Sequence, residues 1–330
     1  MKIERDFILQ NEIGSGGSSF VRLCRRRSNG AKFACKSIPK DQEPLDDEQD
    51  RDLAASIRRE VLLMQHLQAH PGIVHLEAVY EDSEYFHLVM EFVSGGDLLD
   101  QMENNKEWPC SESRAAVMVK ELASILKYCH DNGVVHRDVK PENILVTSEG
   151  RLKLADFGLA TRFRKGQRLC GAFGSEEYAA PEVLGGDYTE NVDIWSLGVL
   201  LHGMLVGALP FEGDSNTQVL EAVKNANLCF EGEAWELISE PARDLIGKML
   251  TRDVLERLSA EEVLQHPWIL HHREDQTSSE SKQTEISSIH SSVEDSLSLA
   301  LSHAMRMSES KQCVPSIAAL HSPSMKVSAF

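Results

Sequence analysis

Residues 7–40 set short apolar and β-branched runs between two turn signals, the Gly/Ser cluster from Gly14 to Ser19 and Ser28-Asn29-Gly30. That pattern predicts strands. A helix follows, with Ile57, Val61, Met64 and Leu67 at helical spacing on one face. Strands resume over 74–80 and 85–92. After Gly95-Gly96 the character changes to helical, and Val119, Leu122, Ala123 and Leu126 share one face of a helix over 113–131. Ile144–Val146 and Leu152–Leu154, joined by Thr147-Ser148-Glu149-Gly150, predict a hairpin. From about 192 to 269 the pattern is helical, ending at His266-Pro267-Trp268. A strand-rich small lobe therefore precedes a helix-rich large one, an α+β arrangement.

Two segments stand apart. Residues 41–52 carry seven acidic residues against one Arg, and read either as a solvated loop or as a patch for a basic partner. In the tail, 271–330, 16 of 60 residues are Ser, which predicts disorder over 270–330. Val293, Leu297, Leu301 and Ala304 would share a face if that part were helical. The tail reads as an inert extension or as an autoinhibitory or docking segment; it is not basic, and so is unlike a calmodulin target. The apolar stretch 192–211 is interrupted by Asp193, Trp195, His202 and three Gly, which predicts a buried core helix rather than a membrane span.

Composition narrows the function classes. Against 34 Lys+Arg stand 52 Asp+Glu, a formal charge of −18 over 330 residues. A chain this acidic is not a general binder of nucleic-acid backbones. Its seven Cys form no C-x-x-C pair, which predicts reduced thiols in a cytoplasmic or nuclear protein. The start, MKIERDFILQ, has no apolar signal core, and Lys2 stands where myristoylation needs Gly. A soluble protein without membrane attachment is expected.

The chemistry begins at Gly14-Ser15-Gly16-Gly17-Ser18-Ser19-Phe20-Val21. Small residues let backbone N–H groups approach phosphates, although a hairpin turn needing positive φ would use the same residues. A dinucleotide fingerprint fits worse, because the third Gly is Ser19 and no helix pattern follows. Lys36 lies on a strand shortly afterwards, and Glu60 on the next helix is a candidate partner for it. Then come His136-Arg137-Asp138-Val139-Lys140-Pro141-Glu142-Asn143, Asp156-Phe157-Gly158 and Ala180-Pro181-Glu182.

Through its H-R-D, K-P-E-N, D-F-G and A-P-E motifs, in that order, residues 6–269 resemble a eukaryotic protein kinase catalytic domain. The resemblance implies a bilobal fold, with the small lobe over about 6–92 and the large one over about 93–269. It implies ATP and Mg²⁺ as cofactors and Ser/Thr hydroxyls of proteins as acceptors, the Lys140 position favouring these over Tyr. By resemblance, Lys36 holds the α/β-phosphates and Glu60 orients it. Asp138 accepts or orients the proton of the acceptor hydroxyl, Lys140 sits near the γ-phosphate, and Asn143 and Asp156 carry the metal. Adenine would lie between Ile13, Val21 and Ala34 above and Leu145 below, next to Met90, bonded by the backbone of Glu91 and Val93. Met64, Leu76, His136 and Phe157 match a column joining the lobes, anchored by Asp193; plain core packing accounts for them equally. Glu182 and Arg257 match a buried ion pair.

The resemblance also bears on regulation. From Arg162 to Phe173 there is no Ser, Thr or Tyr, so the Arg that would pair with an activating phosphate, Arg137, has no acceptor there. Activity without phosphorylation of this segment is expected, with Ser175 serving as a structural hydroxyl near Asp138. Arg162, Arg164, Lys165 and Arg168 make the segment basic, a solvated loop or a docking patch. Asp97 and Glu142 match acidic positions that favour Arg or Lys three residues before the acceptor, and Gly203 occupies the position that often adds a second acidic contact. Ser19 for the third loop Gly and Glu176 for a commoner Pro are departures; Glu176 with Glu177 would draw the pocket after the acceptor toward basic side chains.

Asp187-Tyr188, Pro210-Phe211-Glu212-Gly213-Asp214-Ser215 and Met249-Leu250-Thr251-Arg252 resemble the calcium/calmodulin-dependent group. Within it they are most similar to plant phosphoenolpyruvate carboxylase kinase-related kinases. No D-x-[DN]-x-[DN]-G loop occurs, so direct calcium binding is not expected. A monomer is expected. The rival from another class is a pseudokinase scaffold that binds nucleotide or partners without transfer; a small-molecule phosphotransferase should lack the A-P-E segment.

Overall fold

The computed structural model describes residues 2–16, 19–40, 47–105, 107–171 and 173–272. Gly17, Ser18 and the tail features named above, including the 293–304 face and Cys313, lie outside the described residues. Chain order begins with β1 (Phe7–Gly16), β2 (Ser19–Arg26), β3 (Lys32–Pro39), α1 (Asp47–Leu67), β4 (Leu76–Glu81) and β5 (Tyr85–Glu91). The five strands form one antiparallel sheet in the order β1-β2-β3-β5-β4.

Strand alternation sorts the side chains of this sheet. Cys35 pairs with Val89 and Lys36 with Leu88. Cys35 and Val89 join Ile3, Phe7 and Cys24 in a small cluster on one face, whereas Ile38 and Leu88 belong to the main core that includes α1. Lys36 therefore faces α1. A slip of one residue in the β3–β5 register would send its ammonium to the wrong side.

The helix α1 starts earlier than the pattern suggested. Residues 47–52, expected to be loop, are its first turns. Its buried stripe is Ile57, Glu60, Leu63, Met64 and Leu67, with Val61 only at the rim. Strand β4 begins at Leu76 rather than 74, because Val74 N–H donates to the Leu154 carbonyl at 3.0 Å and Ile73 bridges Leu154, tying this stretch to the other lobe.

The second lobe holds α2 (Leu98–Asn104), α3 (Glu112–Asp131), the short pair β6 (Val134–Val135) and β9 (Thr161–Arg162), the hairpin β7 (Ile144–Val146) and β8 (Leu152–Leu154), then α4 (Val192–Val206), α5 (Asn216–Asn225), α6 (Glu233–Glu236), α7 (Glu240–Met249) and α8 (Ala260–Leu264). Val119, Leu122, Ala123 and Leu126 are all buried. From Val192 to Leu205 every residue of α4 is buried, so its apolar run is core. Among the described residues no helix is long and apolar enough to cross a membrane. At the linker between the lobes Gly95 N–H donates to the Val146 carbonyl at 2.9 Å, and a Cβ at Gly95 would run into that carbonyl. The described cysteines are free, with Cys24, Cys35, Cys110 and Cys129 buried and Cys170 and Cys229 exposed.

Candidate active site

Lys36 Nζ lies 2.9 Å from Glu60 Oε1 and 2.8 Å from Asp156 Oδ1. Strand β3, helix α1 and the turn after β8 thus meet at one ammonium. Burial by itself would lower the Lys36 pKa, but the two carboxylates outweigh it and the net shift is upward. Burial would raise Asp156, and the Lys36 charge more than reverses this, so its carboxyl is held below the usual range. Asp156 has φ of 56°, a left-handed conformation rare outside Gly, and its carboxylate also accepts from Gly158 N–H at 3.2 Å.

A second carboxylate is held as tightly. Asp138 Oδ1 accepts from Ser175 N–H at 3.0 Å and from Ser175 Oγ at 3.1 Å; its Oδ2 accepts from Asn143 Nδ2 at 2.8 Å. Lys140 Nζ donates to Ser175 Oγ at 2.7 Å and lies 3.5 Å from Asp138 Oδ2. Gly174 allows this approach. Its φ is +97°, and a Cβ there would stand 2.5 Å from the Arg137 carbonyl.

The loop carrying Asp138 is suspended from α4. Asp193, fully buried, accepts from His136 N–H at 2.9 Å and Arg137 N–H at 2.8 Å, and His130 Nε2 lies 2.8 Å from the same carboxylate. Burial would raise Asp193, but these partners win and the net shift is downward. The His136 and Phe157 rings meet edge to face at 4.9 Å, and Met64 and Leu76 are buried with them. Arg257, whose side chain is fully buried, donates to Glu182 Oε2 at 2.9 Å.

Arg137 has a set of partners that sequence reasoning missed. Its Nε donates to the Leu159 carbonyl at 2.7 Å, its Nη1 donates to the Tyr188 hydroxyl at 3.0 Å, and its guanidinium lies 4.1 Å from the Phe173 ring centroid. Tyr188, fully buried, donates in turn to the Cys170 carbonyl at 3.3 Å, and Leu169 and Tyr188 exchange backbone bonds of 2.8 and 3.1 Å. Arg168, counted among the basic residues of the segment, is paired with Asp187 at 2.6 Å. Tyr188 stood in the sequence beside Asp187, but nothing in the apolar pattern marks a tyrosine as the partner of an Arg 51 positions earlier.

Around the cleft, Val21, Ala34, Met90, Val93 and Leu145 are half-buried and Ile13 is exposed. Ala34 pairs with Met90 across β3 and β5. Glu91 N–H is already used, donating to the His75 carbonyl at 3.0 Å, so of its two backbone groups only the carbonyl is a candidate for an adenine edge. Gly14, Ser15, Gly16, Ser19 and Phe20 lie in the β1–β2 hairpin, where Gly16 pairs with Ser19 and Ser15 with Phe20. Asp97 caps α2, its Oδ1 accepting from Asp100 N–H at 2.8 Å. Glu142 is exposed, 3.9 Å from Lys140 Nζ.

The oxygen set suits a hard divalent cation. Because Asn143 Nδ2 is spent on the Asp138 carbonyl and carboxylate, both at 2.8 Å, its Oδ1 is the end left for a metal, beside a half-exposed Asp156. Mg²⁺ takes one or two carboxylate-type ligands and completes its shell with phosphates and water. Among the described residues no cluster of three His, Cys, Asp or Glu is placed to hold a metal ion.

Comparison with known proteins agrees with this geometry. The family described as "Protein kinase domain" matches residues 7–269. Serine/threonine-protein kinase PEPKR2 of Arabidopsis thaliana is 51% identical over 269 residues, covering 82% of this chain and 54% of that protein. Calcium-dependent protein kinase 10 of Oryza sativa subsp. japonica is 40% identical over 266 residues, 80% of this chain and 43% of its own length. Calcium-dependent protein kinase 29 of Arabidopsis thaliana is 41% identical over 264 residues, 79% of this chain and 48% of its own. The chain spans about half the length of these curated relatives.

Proposed function

The chain belongs to the protein kinase family, in its plant calcium/calmodulin-dependent group, and on that premise we propose that it transfers the γ-phosphate of ATP to Ser and Thr hydroxyls of proteins. The observation that carries this is the joining of Lys36 to both Glu60 and Asp156. Phosphoryl transfer spreads charge over oxygens and asks for positioned cations more than covalent chemistry. Lys36, fixed by two carboxylates, presents its third proton to the α/β-phosphates. Asp138, immobilised by Ser175 and Asn143, orients the acceptor hydroxyl and takes its proton. Lys140, shared between Ser175 and Asp138, stands where negative charge builds up. Asn143 and Asp156 would hold Mg²⁺, which supplies neutralising charge to the β/γ-oxygens.

We further propose that this activity requires no phosphate on the activation segment. Arg137 is satisfied by a carbonyl, a phenol and an aromatic face, all supplied by the unmodified chain. Acceptors with Arg or Lys three residues upstream are the proposed substrates, through Asp97 and Glu142. No calcium-binding loop of the D-x-[DN]-x-[DN]-G kind occurs in the 330 residues, which supports catalysis in the absence of calcium.

Transfer from ATP to a degenerate Ser/Thr peptide library, with Mg²⁺ and a calcium chelator, tests the reading. Incorporation concentrated on peptides with Arg at the third upstream position is expected, and none with Asp156→Asn. Nucleotide binding without incorporation would place the chain among scaffolds instead.

A further inference from the structure

The end of β2 and the turn that follows it carry Arg25-Arg26-Arg27-Ser28, with Arg25 and Arg26 still paired in the sheet and Arg27 and Ser28 in the turn. Of all Ser and Thr in the 330 residues, Ser28 is the one with Arg three residues before it. Thr251 has Lys248 at that spacing, but its hydroxyl is engaged, donating to the Gly247 carbonyl at 2.8 Å. Ser28 is exposed, as are Arg27, Asn29 and Gly30 on either side of it. The turn is closed by Gly30 N–H donating to the Arg26 carbonyl at 2.8 Å and by Asn29 Oδ1 accepting from Ala31 N–H at 3.0 Å, with Gly30 at φ of 71°. Ser28 thus stands at the outer end of the β2–β3 hairpin.

We propose that Ser28 is a phosphorylation site that one copy of this chain modifies in another. The inference rests on the preference for Arg three residues upstream proposed above and extends it to the chain's own surface. The backbone of Arg25 is fixed by its pairing with Ile8 and Lys32, but among the described residues its side chain makes a single exposed bond, Nη1 to the Gly30 carbonyl at 3.0 Å, which it can exchange for the carboxylates of Asp97 and Glu142 in the second copy. The Ser28 oxygen attacks the γ-phosphorus of the ATP bound there. The bond from that phosphorus to the bridging oxygen breaks, ADP leaves, and the hydroxyl proton passes to Asp138 of the modifying copy and on to water.

Register excludes transfer within one molecule. Val21 stands opposite Lys36, whose ammonium reaches Asp156. Ser28 is seven residues further along, roughly 20 Å away at strand rise. The hairpin is pinned at that end by Arg27 N–H donating to the Asp6 carbonyl at 2.8 Å, by Arg27 Nε donating to the Glu4 carbonyl at 2.7 Å and by the Arg26–Glu77 ion pair. It cannot fold back into its own cleft.

The full chain, dephosphorylated and then given ATP and Mg²⁺, tests this by mass spectrometry. Phosphate on Ser28 is expected, at a rate per molecule that rises with protein concentration. An inert Asp138→Asn chain should acquire it when mixed with active protein, and Arg25→Ala should slow it by roughly tenfold or more. Ser28→Ala should lose this one site and keep activity on peptides. An unmodified Ser28 in a protein that still selects Arg three residues upstream in the library would overturn the inference and leave the substrate reading standing. A library without that selection would overturn both. A rate independent of concentration, or an undiminished rate in Arg25→Ala, would also overturn it.

Discussion

The guanidinium of Arg137 lies 4.1 Å from the centroid of the Phe173 ring. An aromatic face and a phenol, that of Tyr188, thereby occupy the residue that precedes Asp138 in the chain. A cation over an aromatic ring is worth about 0.5–2 kcal/mol, and a hydrogen bond to a charged group about 1.5–3. Such energies suffice to bias a loop without a phosphate.

Phe173→Leu and Tyr188→Phe should each lower kcat by roughly 3- to 30-fold, and the double variant should fall by less than the product because both act on Arg137. Steady-state kinetics on protein shown by mass spectrometry to carry no phosphate between 160 and 180 measures this. Full activity in both variants would show that the contacts of Arg137 with Phe173 and Tyr188 do not position the segment.

Asp156→Asn keeps an oxygen for Gly158 N–H but loses the charge that Lys36 meets and that Mg²⁺ would meet. A fall in kcat of roughly 10³-fold is expected, with folding retained. Thermal shift with and without MgATP separates the two effects: the variant should melt near the parent temperature alone and gain less from MgATP.

Gly174→Ala places a methyl group 2.5 Å from the Arg137 carbonyl at a φ of +97°. The segment must move, and Ser175 moves away from Asp138 with it. A fall in kcat of roughly tenfold or more follows. Gly150, at φ +75° with nothing within 4 Å of a Cβ, is the control: Gly150→Ala should cost about 1 kcal/mol of stability and leave kcat unchanged.

Asp82 provides a pH test. Burial would raise its carboxyl, but bonds from Glu84 and Tyr85 N–H and from His87 bring it down to about 2. A carboxyl lower in the folded chain than in the unfolded one stabilises the fold above its unfolded pKa, and that stabilisation is lost as pH falls toward the folded value. Between about pH 4 and pH 2, stability in urea should therefore fall more steeply in the parent than in Asp82→Asn. Equal slopes would remove Asp82 from the acid response.

Much of this protein was legible along the chain. The two lobes follow from a change of hydrophobic period after Gly95-Gly96, since a strand repeats every two residues and a helix about every 3.6. The catalytic candidates Asp138, Lys140, Asn143 and Asp156 came from the H-R-D, K-P-E-N and D-F-G motifs and the family resemblance those motifs carry, and the motifs are short enough to be read directly along the chain. The start of α1 was hidden, because acidic residues at a helix start and in a loop look alike to any reading based on burial.

Of the pairings between distant positions, the resemblance named Lys36–Glu60 and Glu182–Arg257, and the others were left to the tertiary structure. Lys36 meets Asp156 across 120 residues only because the β3–β5 register turns its side chain toward α1. Glu91 N–H is withdrawn from the nucleotide edge because the chain at His75 passes beside it. Arg137 finds Phe173 and Tyr188 only once α4 has fixed the loop before Asp138 and the Leu169–Tyr188 bridge has fixed the segment beyond it. Sequence determined which groups were available and which elements would carry them, because those depend on neighbours a few residues away. Which group meets which was decided by packing, because a hydrogen bond tolerates only a few tenths of an ångström and no local pattern carries that information across the fold.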